Sequence, residues 1–239
     1  MILFIFEGKK REVRFFNTLK RLYWGAEEMI VSVFDCSIDA LYHELQKLGD
    51  GADVVEMMMD KYKGCKDNPF KGIPRPDVFS EIYLVFDYDF HDVSRTAEQM
   101  NTQLVYLLDY FSEETENGKL YVNYPMMEAV AYTKELPDQA FYSYTVSREE
   151  CRNFKELVHN FSSYPNFDFL LRGDDSDLRK NWEFVVGQNV AKARLMTGAE
   201  RPEQRAILDA QIQKYECLEG CQVAILSAFA ILLNDWKKK

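Results

Sequence analysis

Two apolar runs, each closed by acid, constrain this chain more than any other feature. Residues 2–6 read Ile-Leu-Phe-Ile-Phe and stop at Glu7; residues 82–86 read Ile-Tyr-Leu-Val-Phe and stop at Asp87-Tyr88-Asp89. A strand with one wet face alternates apolar and polar residues, whereas an unbroken run suits a strand covered on both sides. Such strands belong to parallel sheets layered between helices, and the intervening sequence supplies helices. Val13, Phe15, Phe16, Leu19, Leu22 and Tyr23 recur at helical spacing within residues 10–23. A second strand is expected at 29–34, then a helix at 38–48 ended by Gly49 and another at about 52–63. Pro69, Pro74 and Pro76 make residues 68–77 a loop. The third strand, 81–86, leads to a helix at 94–111 and a short strand at 120–123. Pro125 then suits the first turn of a helix holding Met126, Met127, Glu128, Val130 and Ala131. The class read from this order is α/β, a mostly parallel sheet flanked by helices.

Past about residue 148 the pattern changes. Ser147 and Glu150 have capping-box spacing, and the remainder reads helical, ending in one long helix over 203–236. The chain is therefore divided into an α/β part, 1–145, and an all-helical C-terminal part, 146–239. In the last helix Ile207, Ile212, Tyr215, Leu218 and Val223 serve either as core or as a docking or dimer surface, so a homo-oligomer is among the expected assemblies.

Composition narrows the partners. With 29 Lys and Arg against 39 Asp and Glu, a formal charge of -10 excludes indiscriminate coating of nucleic acid. Contact with DNA or RNA then needs a local basic patch, a screening metal or a partner subunit. The 17 Phe and 14 Tyr are expected to fill the core, with base-stacking platforms as the alternative reading. Five cysteines show no C-x-x-C pair; Cys217 and Cys221 lie one helical turn apart without a second pair of ligands, which favours buried free thiols over zinc. The odd cysteine count and the short apolar opening, which lacks the shape of a signal peptide, point to a cytoplasmic location. The longest apolar stretch, 223–233, falls short of the roughly 18–20 residues that span a bilayer, so no membrane partner is expected.

Chemistry concentrates in the acids. Glu7 ends a buried strand, where parallel folds place ligands, and Gly8 lets the backbone turn into the following helix. Strand alternation puts Asp87 and Asp89 on one side, able to converge on a cation such as Mg²⁺ (or Mn²⁺). Each acid alone reads as a wet strand end; all of them at matching ends of buried strands read as a site. His91 is left outside that set, and His43 and His159 read as packing or surface residues. No phosphate-binding G-x-x-x-x-G-K-[ST] loop and no G-x-S-x-G nucleophile elbow is present.

The run from Phe6 to Phe16, with Glu7-Gly8, Lys10, Glu12 and Phe15-Phe16, resembles the E-G-x-K-T-E-x-x-Y-F opening of RloB/AbiLii-like proteins, which belong with the OLD-type TOPRIM nucleases of antiphage systems. Asp87-Tyr88-Asp89 is similar to the TOPRIM D-x-D motif, and Asn123-Tyr124-Pro125-Met126-Met127-Glu128 to an N-P-x-x-E segment. The resemblance covers roughly residues 1–135; Arg11 stands where the family has Thr, and Tyr124 separates Asn123 from Pro125. It implies a TOPRIM fold and Mg²⁺-dependent cleavage of phosphodiester bonds in DNA or RNA, tRNA included. Glu7 would be a ligand or general base, and Asp87 and Asp89 would be ligands. Glu12 and Glu128 are further candidate ligands; either also reads as an acid in a first helical turn. Lys9, Lys10, Arg11 and Arg14 would attract a phosphate backbone, or form a solvated helix face. The resemblance further implies an abortive-infection effector working with a partner ATPase. Two alternatives stand beside it: a TOPRIM-fold interaction module without catalysis, and a phosphatase or phosphotransferase built on the D-x-D.

Overall fold

The computed structural model describes residues 1–239 except 26, 50, 165 and 239. A five-stranded sheet forms its centre, in the order β2 (Met29–Val33), β1 (Ile2–Phe6), β3 (Glu81–Asp87), β5 (Gly118–Asn123) and β4 (Ser112–Glu113). The first four are mutually parallel, and only β4 runs against its neighbour. Both apolar runs read from the sequence are central strands, and all five residues of β1 are buried.

The order 2-1-3-5 has a consequence for any ligand. From β1 the chain passes to β2 through α1 (Arg11–Leu19), then returns across β1 to β3 through α2 (Ile38–Leu48) and α3 (Val54–Lys61). Right-handed crossovers put α1 on one face and α2, α3 and α4 (Ala97–Tyr110) on the other. The direction of travel reverses between β1 and β3, which opens a crevice at their carboxyl ends.

Aromatic side chains hold the α1 face. Phe4, Tyr83 and Tyr121 form a row across β1, β3 and β5, with ring centroids 5.1 and 6.4 Å apart. Trp24 lies 4.9 Å from Phe4 and Trp236 lies 5.7 Å from Tyr83. The aromatic excess is thus spent largely on packing, as the core reading expected. At the open edge, the Tyr62 hydroxyl accepts from Val33 N–H at 3.3 Å and donates to Val33 C=O at 2.9 Å.

The C-terminal part differs from its expected form. The helix foreseen over 203–236 is instead α8 (Gln204–Gln211), a π-helical turn (Ile212–Glu216), strand β7 (Gln222–Ala224) and α9 (Ala228–Trp236). The break falls at Gly220 and Cys221, whose φ values of +78° and +49° no helix accepts. Strand β7 pairs antiparallel with β6 (Thr145–Ser147), so the part is not all-helical. Its α-helices are α5 (Phe154–Phe161), α6 (Asp168–Leu171), α7 (Asp175–Thr197), α8 and α9.

The core runs across residue 145 without a break. Tyr124, just past β5, bridges to Leu226, and Phe229 of α9 lies 5.8 Å from Phe6 and 5.4 Å from Phe15. Pro125 is in a cis peptide and precedes a buried 3-10 turn, Met127–Ala131, in place of the expected helix. Ile207 and Val223 are fully buried and Ile212 and Tyr215 partly so, leaving only Leu218 of the suggested docking surface exposed. All five cysteines are free; Cys151 is buried, while Cys217 is exposed, contrary to the expected burial. Among the described residues no helix is long and apolar enough to cross a membrane.

Candidate metal centre

Glu7 leaves β1 and Asp87 ends β3, so the strand order alone places these two acids at the mouth of the crevice. Asp89 reaches it by a different route from the one alternation suggested. β3 stops at Asp87, and the chain turns: Tyr88 N–H donates to Asn123 C=O at 3.0 Å, and Asp89 N–H to Pro125 C=O at 3.3 Å. Asp89 takes a left-handed φ of +54°, a conformation that Asp tolerates better than most residues. One carboxylate oxygen from each of Glu7, Asp87 and Asp89 lies within 4.8 Å of the others.

Two of the three carboxyls, those of Glu7 and Asp87, are fixed from behind. Asp87 N–H donates to Glu7 Oε2 at 2.9 Å, and Asn123 Nδ2 donates to Asp87 Oδ1 at 3.0 Å from the register-matched position on β5. Asn123 Oδ1 in turn accepts from Ala228 N–H at 2.8 Å, the start of α9. Between the two aspartates, the buried Tyr88 hydroxyl donates to Glu216 Oε1 at 2.9 Å and also meets Asn101, whose Nδ2 donates to Glu216 Oε2 at 2.7 Å.

Among the described residues no cation forms an ion pair with these three carboxylates, although Lys155 acts on Glu7 and Asp89 from a distance. Burial first, then the charge of Asp89, pushes Glu7 up to about 8. Burial likewise raises Asp87 well above the carboxylate range, with Glu7 and Asp89 adding repulsion. Asp89 is raised by burial too, though His91 and Arg95 pull against it. Crowded carboxylate oxygens are the donor set hard divalent cations select, so these residues fit Mg²⁺.

The other two acids stand outside the trio. Glu12 is buried with its carboxylate folded over Gly8, where an added Cβ would lie 2.6 Å from Glu12 Oε1; burial raises it. Glu128 is buried, ion-paired with Arg11 and 4.0 Å from Lys155, and its Oε2 has no partner among the described residues. Glu12→Gln is expected to weaken Mg²⁺ binding by less than about tenfold, the lower end for an outer group, and Glu7→Gln by well above that. Isothermal titration compares them directly; equal losses would make Glu12 a ligand.

The basic residues separate. Lys9 pairs with Asp35 and Arg11 with Glu128, while Lys10 lines a cleft of about 570 Å³ with Glu7, Asp87 and Lys155. Arg14 faces a neighbouring cleft instead. Sequence reading assigned no role to Asn123, although it stands in the segment compared with N-P-x-x-E, nor to Lys155 and Glu216, which lay in a part that carried no motif. Compared with protein-family models, curated proteins and solved structures, the chain matches none.

Proposed function

We propose that this chain is a Mg²⁺-dependent nuclease of the TOPRIM type that cleaves phosphodiester bonds of DNA or RNA, as an antiphage effector working with a partner ATPase. The observation that carries the reading is the convergence of Glu7, Asp87 and Asp89 at the crevice between β1 and β3, where burial raises all three and mutual repulsion adds to it at Glu7 and Asp87. The motif resemblance of residues 6–16, 87–89 and 123–128 supplies the class of chemistry. The ATPase would come from a partner, since the chain has no phosphate-binding loop of its own.

Mg²⁺ held by the three carboxylates would stabilise charge on a phosphodiester and lower the pKa of a bound water. The chain's own residues prepare that site. Asn123 holds Asp87 in one rotamer, the Asp87 amide holds Glu7, and the Tyr88–Glu216 contact holds the turn that carries Asp89. Fixed ligands need no reorganisation when the substrate arrives.

The test is cleavage of plasmid, single-stranded DNA and total tRNA by the purified chain with Mg²⁺ and with Mn²⁺. Activity should require metal and fall by at least about 10²-fold in Glu7→Gln and in Asp87→Asn. Metal binding without cleavage of any substrate, even with the ATPase supplied, would leave an interaction module of the same fold.

A further inference from the structure

Beside the acidic centre lies a second cleft of about 280 Å³, between α1 and α5. Its floor is apolar, made by Phe15, Val158 and Phe167. Its walls carry basic side chains: Arg11 and Arg14 project from α1, and Lys155 and, one helical turn on, the imidazole of His159 project from α5. The two clefts share Arg11, Glu128 and Lys155, so they meet at that point.

The positive charge of this second cleft is only partly spent. Arg11 is occupied by Glu128, but among the described residues Arg14 and His159 enter no ion pair. Lys155 has only Glu128 within reach, at 4.0 Å, and its charge extends to Glu7 and Asp89. In a chain with a formal charge of -10, a basic recess that adjoins the cleft of Glu7 and Asp87 is an exception that calls for an anionic ligand.

We propose that this cleft binds the sugar–phosphate backbone of a single nucleic-acid strand beside the position occupied by the bond to be cut, with Arg14, Lys155 and His159 contacting its phosphates. The inference rests on the nuclease reading for the identity of the strand. A repeating anion suits the layout: one phosphate lies in the cationic cleft while its neighbour lies against the acidic centre. A recess of about 280 Å³ has room for the backbone of one strand rather than for a duplex. The basic residues of α1 therefore act through α5, which lies in the C-terminal part, and the substrate site spans both ends of the sequence.

The experiment measures fluorescence anisotropy of labelled single-stranded RNA and DNA oligonucleotides with the full-length Glu7→Gln chain in Mg²⁺, across a salt titration. Adding Arg14→Glu and Lys155→Glu together should weaken binding by at least about tenfold and flatten the log–log salt slope by about 1.4, two single-strand phosphate contacts. A control with the same charge change, Lys63→Glu and Lys66→Glu in the exposed loop after α3, should stay within about twofold. Equal losses in the two pairs, no loss in the cleft pair, or no binding of either oligonucleotide would overturn the proposal. So would displacement by polyglutamate as effective as by unlabelled strand. The two readings fail separately: a wild-type chain that binds strands through the cleft but cuts none sinks only the nuclease, and cleavage with unchanged KM in the cleft pair sinks only the cleft.

Discussion

In metal-free buffer at pH 8.5, Glu7→Gln should melt about 3–6 °C above the wild-type chain, and Mg²⁺ should raise the melting temperature of the wild type alone. The reason is the uncompensated charge at the crevice. A carboxyl raised in the folded state holds its proton there to a higher pH than in the unfolded chain. Its contribution to stability is whole below the unfolded value, about 4.3 for a glutamate, and drains away as pH climbs. For Glu7 the loss is complete only above about 8. At pH 8.5 the wild type therefore carries like charges forced together, and the neutral amide relieves about 1–3 kcal/mol of that cost. Gln keeps the acceptor oxygen that the Asp87 amide needs. The same sign governs the metal: stabilisation by Mg²⁺ should be larger at pH 8.5 than at pH 6, where protons compete for the carboxylates. A Glu7→Gln chain that melts lower than wild type, or gains equally from Mg²⁺, would refute a cation site at these residues.

A fragment ending at residue 145 should fail to fold, and Phe229→Ala in the full chain should cost about 3–5 kcal/mol of stability. Phe229 fills the space between Phe6 on the sheet and Phe15 on α1, and Trp236 of the same helix covers Tyr83. Without α9, Tyr83 and Tyr121 would lose the cover of Trp236 and the partner Asp235, opening an apolar surface that a small domain cannot leave bare. Asn123 would also lose the Ala228 amide that steadies it behind Asp87. Circular dichroism and a urea melt check both expectations. A cooperative transition in the fragment would show that residues 1–145 form a unit without their cover.

The contrast between strands and last helix explains what could be read in advance. β1 and β3 were legible because five apolar residues in a row exclude most alternatives, and the acids were legible because each immediately ends such a run. The turn that brings in Asp89 was not, since its geometry depends on carbonyls of Asn123 at the end of β5 and of Pro125 just beyond it. Residues 203–236 misled for a local reason. They lack an internal proline, and a single glycine, Gly220, is a weak stop signal within a helical pattern although it is where the chain turns. Lys155, His159 and Glu216 have no local signature. Each matters through what it faces, and only the packing of α5 and of the turn at 212–216 decides that.

The hydroxyl of Tyr62 bears on a separate matter, the tendency of sheets to grow. β2 is an outer strand, and an outer strand offers its free amides and carbonyls to any extended chain, whether a second copy or a misfolded one. At Val33 one phenol already occupies both groups, in the place a further strand would take. An incoming strand must therefore evict an aromatic side chain and leave its hydroxyl unpaired before it can continue the ladder. Recruitment along this border, by fibril or by strand-swapped pair, meets a barrier that a single side chain provides.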